Sequence, residues 1–252
     1  MFIAFCKKEA VESLRTYRLI IMLAAFAIFG IISPLTAKLM PDIIRMSGVE
    51  GIIIELPEPG ALDAWTQFYS NISQMGVLTL AIVFCGITAN EFSRGTLVNI
   101  LTKGVRRRTV IHAKFTAAAA VWTLCYGVSL AAAYAYTAYY WDTGELPYTA
   151  LAFVSPWVYG LFLIALLILG GILLPNVYGS LAAFAGAVLI MSLLNIAPGI
   201  QKYNPISLSG GGVMLLSGQK PPGDFVPALI VCASLTIAAV TGAGALFNRR
   251  QL

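Results

Sequence analysis

The stretch LIIMLAAFAIFGIISPLTA (Leu19–Ala37) contains no Asp, Glu, Lys, Arg or His. A membrane-spanning helix needs about twenty such residues, because the hydrocarbon core is about 30 Å thick and a helix rises 1.5 Å per residue. A signal peptide is the alternative interpretation. The flank of residues 1–18 is long for that role and no small-x-small cleavage site follows, so the stretch predicts a transmembrane helix.

Five further stretches are also long enough to cross the membrane and also lack charged residues: Ile72–Ala89, Phe115–Ala138, Thr149–Leu174, Val177–Ile196 and Phe225–Phe247. The whole chain is 59% hydrophobic and 11% charged, against about a quarter charged in soluble proteins. The sequence therefore predicts an all-α, polytopic membrane protein with six transmembrane helices, forming a single transmembrane domain over residues 1–252.

The basic residues predict which side of the membrane each connection occupies. If the N-terminus is cytoplasmic, twelve of the sixteen Lys and Arg fall on the inside, and such a bias is the strongest signal for orientation. Those twelve are Lys7, Lys8, Arg15, Arg18, Arg94, Lys103, Arg106, Arg107, Arg108, Lys114, Arg249 and Arg250. We therefore expect both termini in the cytoplasm. The net charge of +5 then reflects orientation, and no nucleic-acid partner is expected.

The connections between the predicted spans differ in character. In residues 1–18, Ile3, Cys6, Ala10, Leu14 and Tyr17 recur at near-helical spacing, which predicts an amphipathic helix in the membrane interface. A charged flank that only orients the first span is the alternative. Two long outer segments are predicted, 38–71 and the Gly/Pro-rich 197–224, and such segments are often functional or re-entrant.

The connection NEFSRGTLVNILTKGVRRRTVIHAK (Asn90–Lys114) carries the most information. Leu97, Ile100 and Leu101 recur at helical spacing, and Gly104 follows as a helix stop. A short amphipathic helix flanked by charge is suited to docking in a groove of a partner protein. The alternative is an ordinary basic connection between two spans.

Glu91, Gly95-Thr96-Leu97, Leu101, Arg106-Arg107 and Ala113-Lys114 together resemble the first cytoplasmic loop of ABC-2 type transporter permeases, the membrane-spanning subunits of bacterial ABC exporters. The resemblance implies that residues 90–114 form a coupling loop against an ATPase subunit. The residues implied in coupling are Glu91, Arg94, Gly95, Thr96, Leu97, Ile100, Leu101, Arg106, Arg107 and Arg108. One departure is that the family often has a second acidic residue where this chain has Ser93 and Arg94.

No phosphate-binding GxxxxGK[ST] motif occurs in the sequence, so we expect no catalytic residues, no enzymatic activity and no cofactor on this chain. ATP and Mg²⁺ would bind a separate ATPase. Leu208–Gly212 imitates an ABC signature motif, but it falls in an outer segment and we interpret it as a flexible turn. His112 is the only histidine, so no metal site that needs two histidines is expected.

The resemblance implies two ATPase subunits, a second permease copy or a homologous permease, surrounding lipid, and a multi-pass location in the bacterial cell membrane. The predicted spans lack ionisable residues, which favours a hydrophobic or amphipathic cargo such as an antimicrobial peptide, a drug or a lipid-like molecule. The alternative is an ATP-independent secondary transporter, a channel or a structural membrane subunit.

The charge distribution makes a prediction about topology. Reporter fusions after Arg108 and after Arg250 should give a cytoplasmic signal, whereas fusions near Gly60 and Lys220 should give an external one. The physical reason is the excess of Lys and Arg in the connections expected inside. An external signal after Arg108 would overturn the orientation.

Overall fold

The computed structural model describes residues 2–46, 58–93, 106–142 and 146–249. Every regular element in these residues is helical. The long helices are Phe2–Arg15, Arg18–Met46, Ala61–Asn71, Val77–Phe84, Gly86–Ser93, Arg107–Tyr140, Thr149–Leu173, Val177–Leu194 and Val226–Arg249. Shorter turns are the π-helical Ile72–Gly76, the α-helical Pro198–Gln201, Ser207–Gly210 and Gly212–Leu216, and the 3-10 turn Pro222–Asp224.

Six helical segments are long and apolar enough to cross a membrane. In chain order, spans 1 to 6 are Arg18–Ile43, Ala61–Glu91, Arg107–Tyr140, Thr149–Leu173, Val177–Leu194 and Pro222–Arg249. The prediction of an all-α chain with six spans is confirmed, and the protein is a multi-pass membrane protein. We call the end that carries the N-terminal helix and the last turn of span 6 the base, and the opposite end the top.

The helices extend beyond the predicted spans at the top. Residues 38–46 continue the helix of span 1, and residues 61–71 already belong to span 2. An absence of charge does not mark the start of span 2, because residues 61–71 form an amphipathic helix that includes Asp63. The Asp63 carboxylate accepts a hydrogen bond from Gly60 N at 2.8 Å and caps this helix. The apolar face of that helix is buried in the bundle through Ala64, Trp65, Phe68 and Tyr69.

The Gly/Pro-rich segment between spans 5 and 6 is an ordered part of the bundle. Leu208 and Leu215 are fully buried and pack against the rest of the core. The expected flexible turn at Leu208–Gly212 is instead part of two consecutive helical turns, Ser207–Gly210 and Gly212–Leu216. Burial of leucine explains the difference, because a re-entrant segment gains the same apolar contacts as a span.

Span 3 donates hydrogen bonds to span 4 around Pro156, which lies inside the helix of span 4. Proline lacks an N–H, so the carbonyl of Ala152 one turn earlier has no helical donor, and the two hydrogen bonds from span 3 go to other carbonyls near it. The Tyr126 hydroxyl donates to the carbonyl of Phe153 at 2.7 Å, and Trp122 Nε1 donates to that of Trp157 at 3.0 Å. Two aromatic side chains of span 3 therefore join it to span 4.

Gly160 allows the Trp122 ring to lie against span 4, because a Cβ at this position would overlap the indole. We expect Gly160→Ala to lower the stability of the detergent-solubilised protein by about 1–3 kcal/mol through overpacking. Thermal melting followed by tryptophan fluorescence measures the change. Gly186→Ala is the matched control, since an added Cβ there meets open space. Equal melting temperatures for the two variants would contradict the close contact.

Candidate functional site

Five charged side chains meet at the base in what we call the base cluster: Lys8, Glu9, Glu12, Glu91 and Lys114. Lys114 Nζ lies 3.0 and 3.1 Å from the two oxygens of Glu9 and 2.9 Å from Glu91 Oε2. Lys8 Nζ lies 2.8 Å from Glu91 Oε1, 2.9 Å from Glu9 Oε1 and 2.8 Å from Glu12 Oε2. Each ammonium group is therefore shared between carboxylates.

The centre of the base cluster is removed from solvent. Lys114 is 1% exposed, Glu9 4% and Glu91 7%. Removing a charge from water costs several kcal/mol, so such groups persist only when opposite charges and hydrogen bonds surround them. The carboxylates of Glu9, Glu12 and Glu91 are close enough together to hold a metal ion. Two lysine ammonium groups already occupy the space between these three carboxylates, so the arrangement fits an ion-paired structural site better than a metal centre.

The N-terminal helix contributes Glu9 through the face that it turns to the bundle. Phe5, Glu9 and Ser13 are one helical turn apart and buried. Ile3 and Leu14 of the predicted apolar stripe are exposed. The sequence therefore predicted the helix but missed Glu9, although its spacing of four residues from Phe5 placed both on one face.

A left-handed residue ends the N-terminal helix. Tyr17 has φ of 60° and separates the helix Phe2–Arg15 from span 1, which begins at Arg18. This conformation is uncommon for residues other than glycine, so a well-defined packing arrangement has to maintain it. The sharp turn lets the N-terminal helix reach span 3 at Lys114.

The exposed edge of the base cluster is held by Lys8 and Glu12. Partial burial lowers the pKa of Lys8, but hydrogen bonds to Glu12, Glu91 and Glu9 outweigh it and raise the pKa above its ordinary value. Partial burial favours a higher pKa for Glu12, but the Lys8 hydrogen bond and the positive charges of Lys8, Lys114 and Arg18 together outweigh it and lower the pKa below its ordinary value. The contribution of Glu12 to folding stability is therefore present at pH values above the ordinary carboxyl pKa, and it is lost as the pH falls through the lowered pKa. Lys8 stabilisation is lost only as pH rises through its raised value.

The other residues expected in coupling divide into two groups. Arg94, Gly95, Thr96, Leu97, Ile100 and Leu101 lie outside the described residues. Arg106, Arg107 and Arg108 lie at the start of span 3. Arg107 Nη1 donates to the carbonyls of Phe247 and Asn248 at 2.9 and 3.3 Å, so it caps the last turn of span 6. Arg108 packs beside Gly244 of the same span.

The base cluster connects the two helices on either side of the segment 94–105. Glu91 comes shortly before this segment and Lys114 shortly after it, and Glu9 pairs with Lys114 from the N-terminal helix. Lys8 adds a second link between that helix and Glu91. The base cluster therefore holds three elements together: the N-terminal helix, span 2 and span 3.

No family model matches the sequence. A protein of Bacillus subtilis (strain 168) described as an uncharacterized transmembrane protein, YxlG, is 25% identical over 138 residues. The aligned part is 54% of this chain and 54% of that protein, so the match spans about half of the relative's length. The description of that relative as a transmembrane protein agrees with the six spans.

We expect Lys114→Met to destabilise the protein by about 3–5 kcal/mol, because it leaves buried carboxylates without their shared ammonium group. The double variant Lys114→Met/Glu9→Gln should recover much of this loss, since it removes one carboxylate together with the ammonium group and so returns the base cluster to the formal net charge of the parent. Thermal melting of the detergent-solubilised protein measures both. Lys7→Met is the matched control, because Lys7 is an exposed lysine on the N-terminal helix that also carries Glu9. A double variant no more stable than the single one would contradict the pairing.

Proposed function

We propose that the chain is the membrane-spanning permease subunit of an ATP-driven exporter of the ABC-2 type. A separate ATPase would dock on the segment 94–105, and the base cluster would pass its movement to the spans. The observation that carries the proposal is the set of ion pairs that join the N-terminal helix to Glu91 of span 2 and Lys114 of span 3, the two helices on either side of this segment.

A simple connection between two spans has no need of buried charge. Lys114 is only 1% exposed, and the cost of removing an ammonium group from water is offset only by well-placed partners. Ion pairs of this kind are sensitive to geometry, so the elements that carry them tend to move together. This is the property required of a device that converts motion at a loop into motion of helices.

Movement at the base has a direct route into the bundle. Span 1 packs tightly on span 3, since a Cβ at Gly30 would overlap the carbonyl of Ser129. Close approach at small residues is typical of membrane helices that pack firmly together. A displacement of span 3 would therefore carry span 1 with it, together with span 4 through the Trp122 and Tyr126 hydrogen bonds.

In this proposal the base faces the cytoplasm of a bacterial cell and the protein lies in the cell membrane. Two ATPase subunits would bind ATP and Mg²⁺, with a second permease copy or a homologous permease beside this chain. Span 5 supports an assembly of this kind because large apolar side chains cover its outward face, including Leu189, Ile190 and Leu193. The cargo would be hydrophobic or amphipathic, such as an antimicrobial peptide, a drug or a lipid-like molecule.

The alternative is an ATP-independent secondary transporter, a channel or a structural membrane subunit. The buried Lys114 and Glu91 favour it at first sight, because ion-coupled carriers place ionisable groups inside their spans. Lys114 is the eighth residue of span 3, about 14 Å from its midpoint at 1.5 Å per residue. It therefore lies near the edge of the hydrocarbon core, where it is better placed to hold helices than to carry an ion.

Affinity purification of the tagged chain from its native membranes tests the proposal. We expect an ATPase with a phosphate-binding loop to co-purify, and ATP turnover to require that partner. Leu97→Asp and Leu101→Asp should each reduce its recovery by about tenfold or more, because the contact would bury an unpaired charge. Asn99→Asp is the matched control on the polar side of the predicted helix and should retain the partner.

Glu91→Gln tests transmission separately from docking. The ATPase should still co-purify, whereas its stimulation by cargo should fall, since the link from span 2 to Lys8 and Lys114 is weakened. Correct insertion is checked in every variant by the topology reporters. Unchanged assembly and transport by both Leu97→Asp and Leu101→Asp would show that the segment is not a docking element. ATP turnover by the isolated chain would contradict the proposal that a separate ATPase subunit hydrolyses the ATP.

A further inference from the structure

A cavity of about 630 Å³ lies at the top, away from the base cluster. Its wall combines the π-helical turn of span 2, the end of span 5, the segment 195–225 and the start of span 6. Cavities that bind small molecules usually measure about 300–1,000 Å³, so this one has the size of a ligand site. π-helical turns inside α-helices are also frequent at functional sites.

The wall of the cavity is held in place by buried amides. Asn204 is buried; its Nδ2 donates to the carbonyl of Met191 at 2.6 Å and its Oδ1 accepts from Ile206 N at 3.2 Å. Gln201 Nε2 donates to the carbonyl of Asn195 at 2.8 Å. These hydrogen bonds tie the top segment to the end of span 5, so the cavity is largely pre-formed.

Several uncharged polar groups of the cavity wall offer acceptor oxygens to a ligand. Each of four lining hydroxyl groups donates its proton to a main-chain carbonyl of the preceding turn; they belong to Ser73, Ser192, Ser207 and Ser209. Their oxygens retain lone pairs and have no proton left for a ligand. Asn195 Oδ1 is buried and accepts no hydrogen bond from the described residues. A ligand with N–H or O–H donors would satisfy these oxygens.

Two lysines and one aspartate line the same cavity. Lys202 Nζ lies 3.7 Å from Asp224 Oδ1, and both side chains are about half exposed. The ammonium group of Lys220 has no anionic neighbour or acceptor among the residues that the structure describes. The cavity therefore offers one uncompensated positive charge beside a carboxylate that a second cation can approach.

The apolar part of the lining faces the same space. Met214 and Phe225 belong to the wall. Leu194 at the end of span 5 and Val226 at the start of span 6 are exposed where lipid would cover the bundle. A ligand bound here would have its polar part in the cavity and its apolar part beside the spans.

We propose that this cavity binds the head of a phospholipid that carries both a phosphate and an ammonium group with N–H donors, as in phosphatidylethanolamine. Lys220, with help from Lys202, binds the phosphate. Asp224, Asn195 and the serine oxygens accept from the ammonium group. A choline head has the same charges and lacks the N–H donors, so it leaves these acceptors unsatisfied. The site does not depend on whether ATP drives the protein.

The test compares dihexanoyl phosphatidylethanolamine with dihexanoyl phosphatidylcholine on the full chain in detergent by native mass spectrometry. We expect the ethanolamine lipid to bind about tenfold more tightly, the difference that a charge-assisted hydrogen bond supplies. Glycerophosphoethanolamine, which has the same head and no acyl chains, should bind more weakly than the lipid. Equal binding of the two lipids by the parent protein overturns the proposal. So does binding of glycerophosphoethanolamine as tight as that of the ethanolamine lipid.

Two variants separate the phosphate and ammonium contacts. Lys220→Gln should weaken both lipids by about tenfold, since both carry a phosphate. Asp224→Asn should weaken the ethanolamine lipid more than the choline lipid, since only the ethanolamine head also loses a charge-assisted hydrogen bond, and so should reduce the preference for it. Lys38→Gln is the matched control, because Lys38 is a cation at the top that lies over the Tyr140 ring at 3.8 Å and outside the cavity. Lys220→Gln binding like Lys38→Gln would contradict the site.

Discussion

Lys114 places an ammonium group among helices that otherwise bury apolar side chains, and this constraint determines the arrangement of the base. Such a group is stable only where carboxylates surround it, and Glu9 and Glu91 provide them at 2.9–3.1 Å. The first requires the N-terminal helix to lie against span 3, and the second requires span 2 to end beside it. Tyr17 adopts its left-handed turn so that both conditions are met in one chain.

The six spans were predictable from sequence because the bilayer demands a long run of residues without charge, and each run has a clear length. Their ends were less predictable, because charged residues belong to helices whenever a partner is near. Lys114 lies inside span 3 for this reason, and Asp63 lies inside span 2 as a cap. The sequence drew attention to Glu91 through a resemblance that implies it in coupling, whereas its ion pairs with Lys8 and Lys114, and the place of Glu9 beside it, required the structure. A carboxylate on an amphipathic helix normally faces water, and only tertiary contact shows otherwise.

The base and the top use polar groups in opposite ways. At the base, Lys8 and Lys114 are each shared between carboxylates, so the charged groups find their partners within the protein. At the top, serine hydroxyls donate hydrogen bonds to main-chain carbonyls. Asn195 Oδ1 and the Lys220 ammonium group have no partner among the described residues. A saturated cluster favours a fixed structure, whereas an unsaturated one favours an added molecule. Sequence patterns do not distinguish them, since both consist of scattered polar residues.

Span 2 belongs to both ends, with Glu91 in the base cluster and Ser73 in the wall of the cavity. At 1.5 Å per residue they are separated by about 27 Å along the helix. For events at one end to influence the other, a shared element must have two discrete arrangements that both ends bias. Span 2 contains the π-helical turn Ile72–Gly76, which differs from an α-turn by one residue of hydrogen-bond register. A change of register there would turn Ser73 relative to Glu91 without unfolding the span. Any coupling between base and top therefore depends on how firmly packing holds this turn, and Phe26 of span 1 lies directly against its last residue, Gly76.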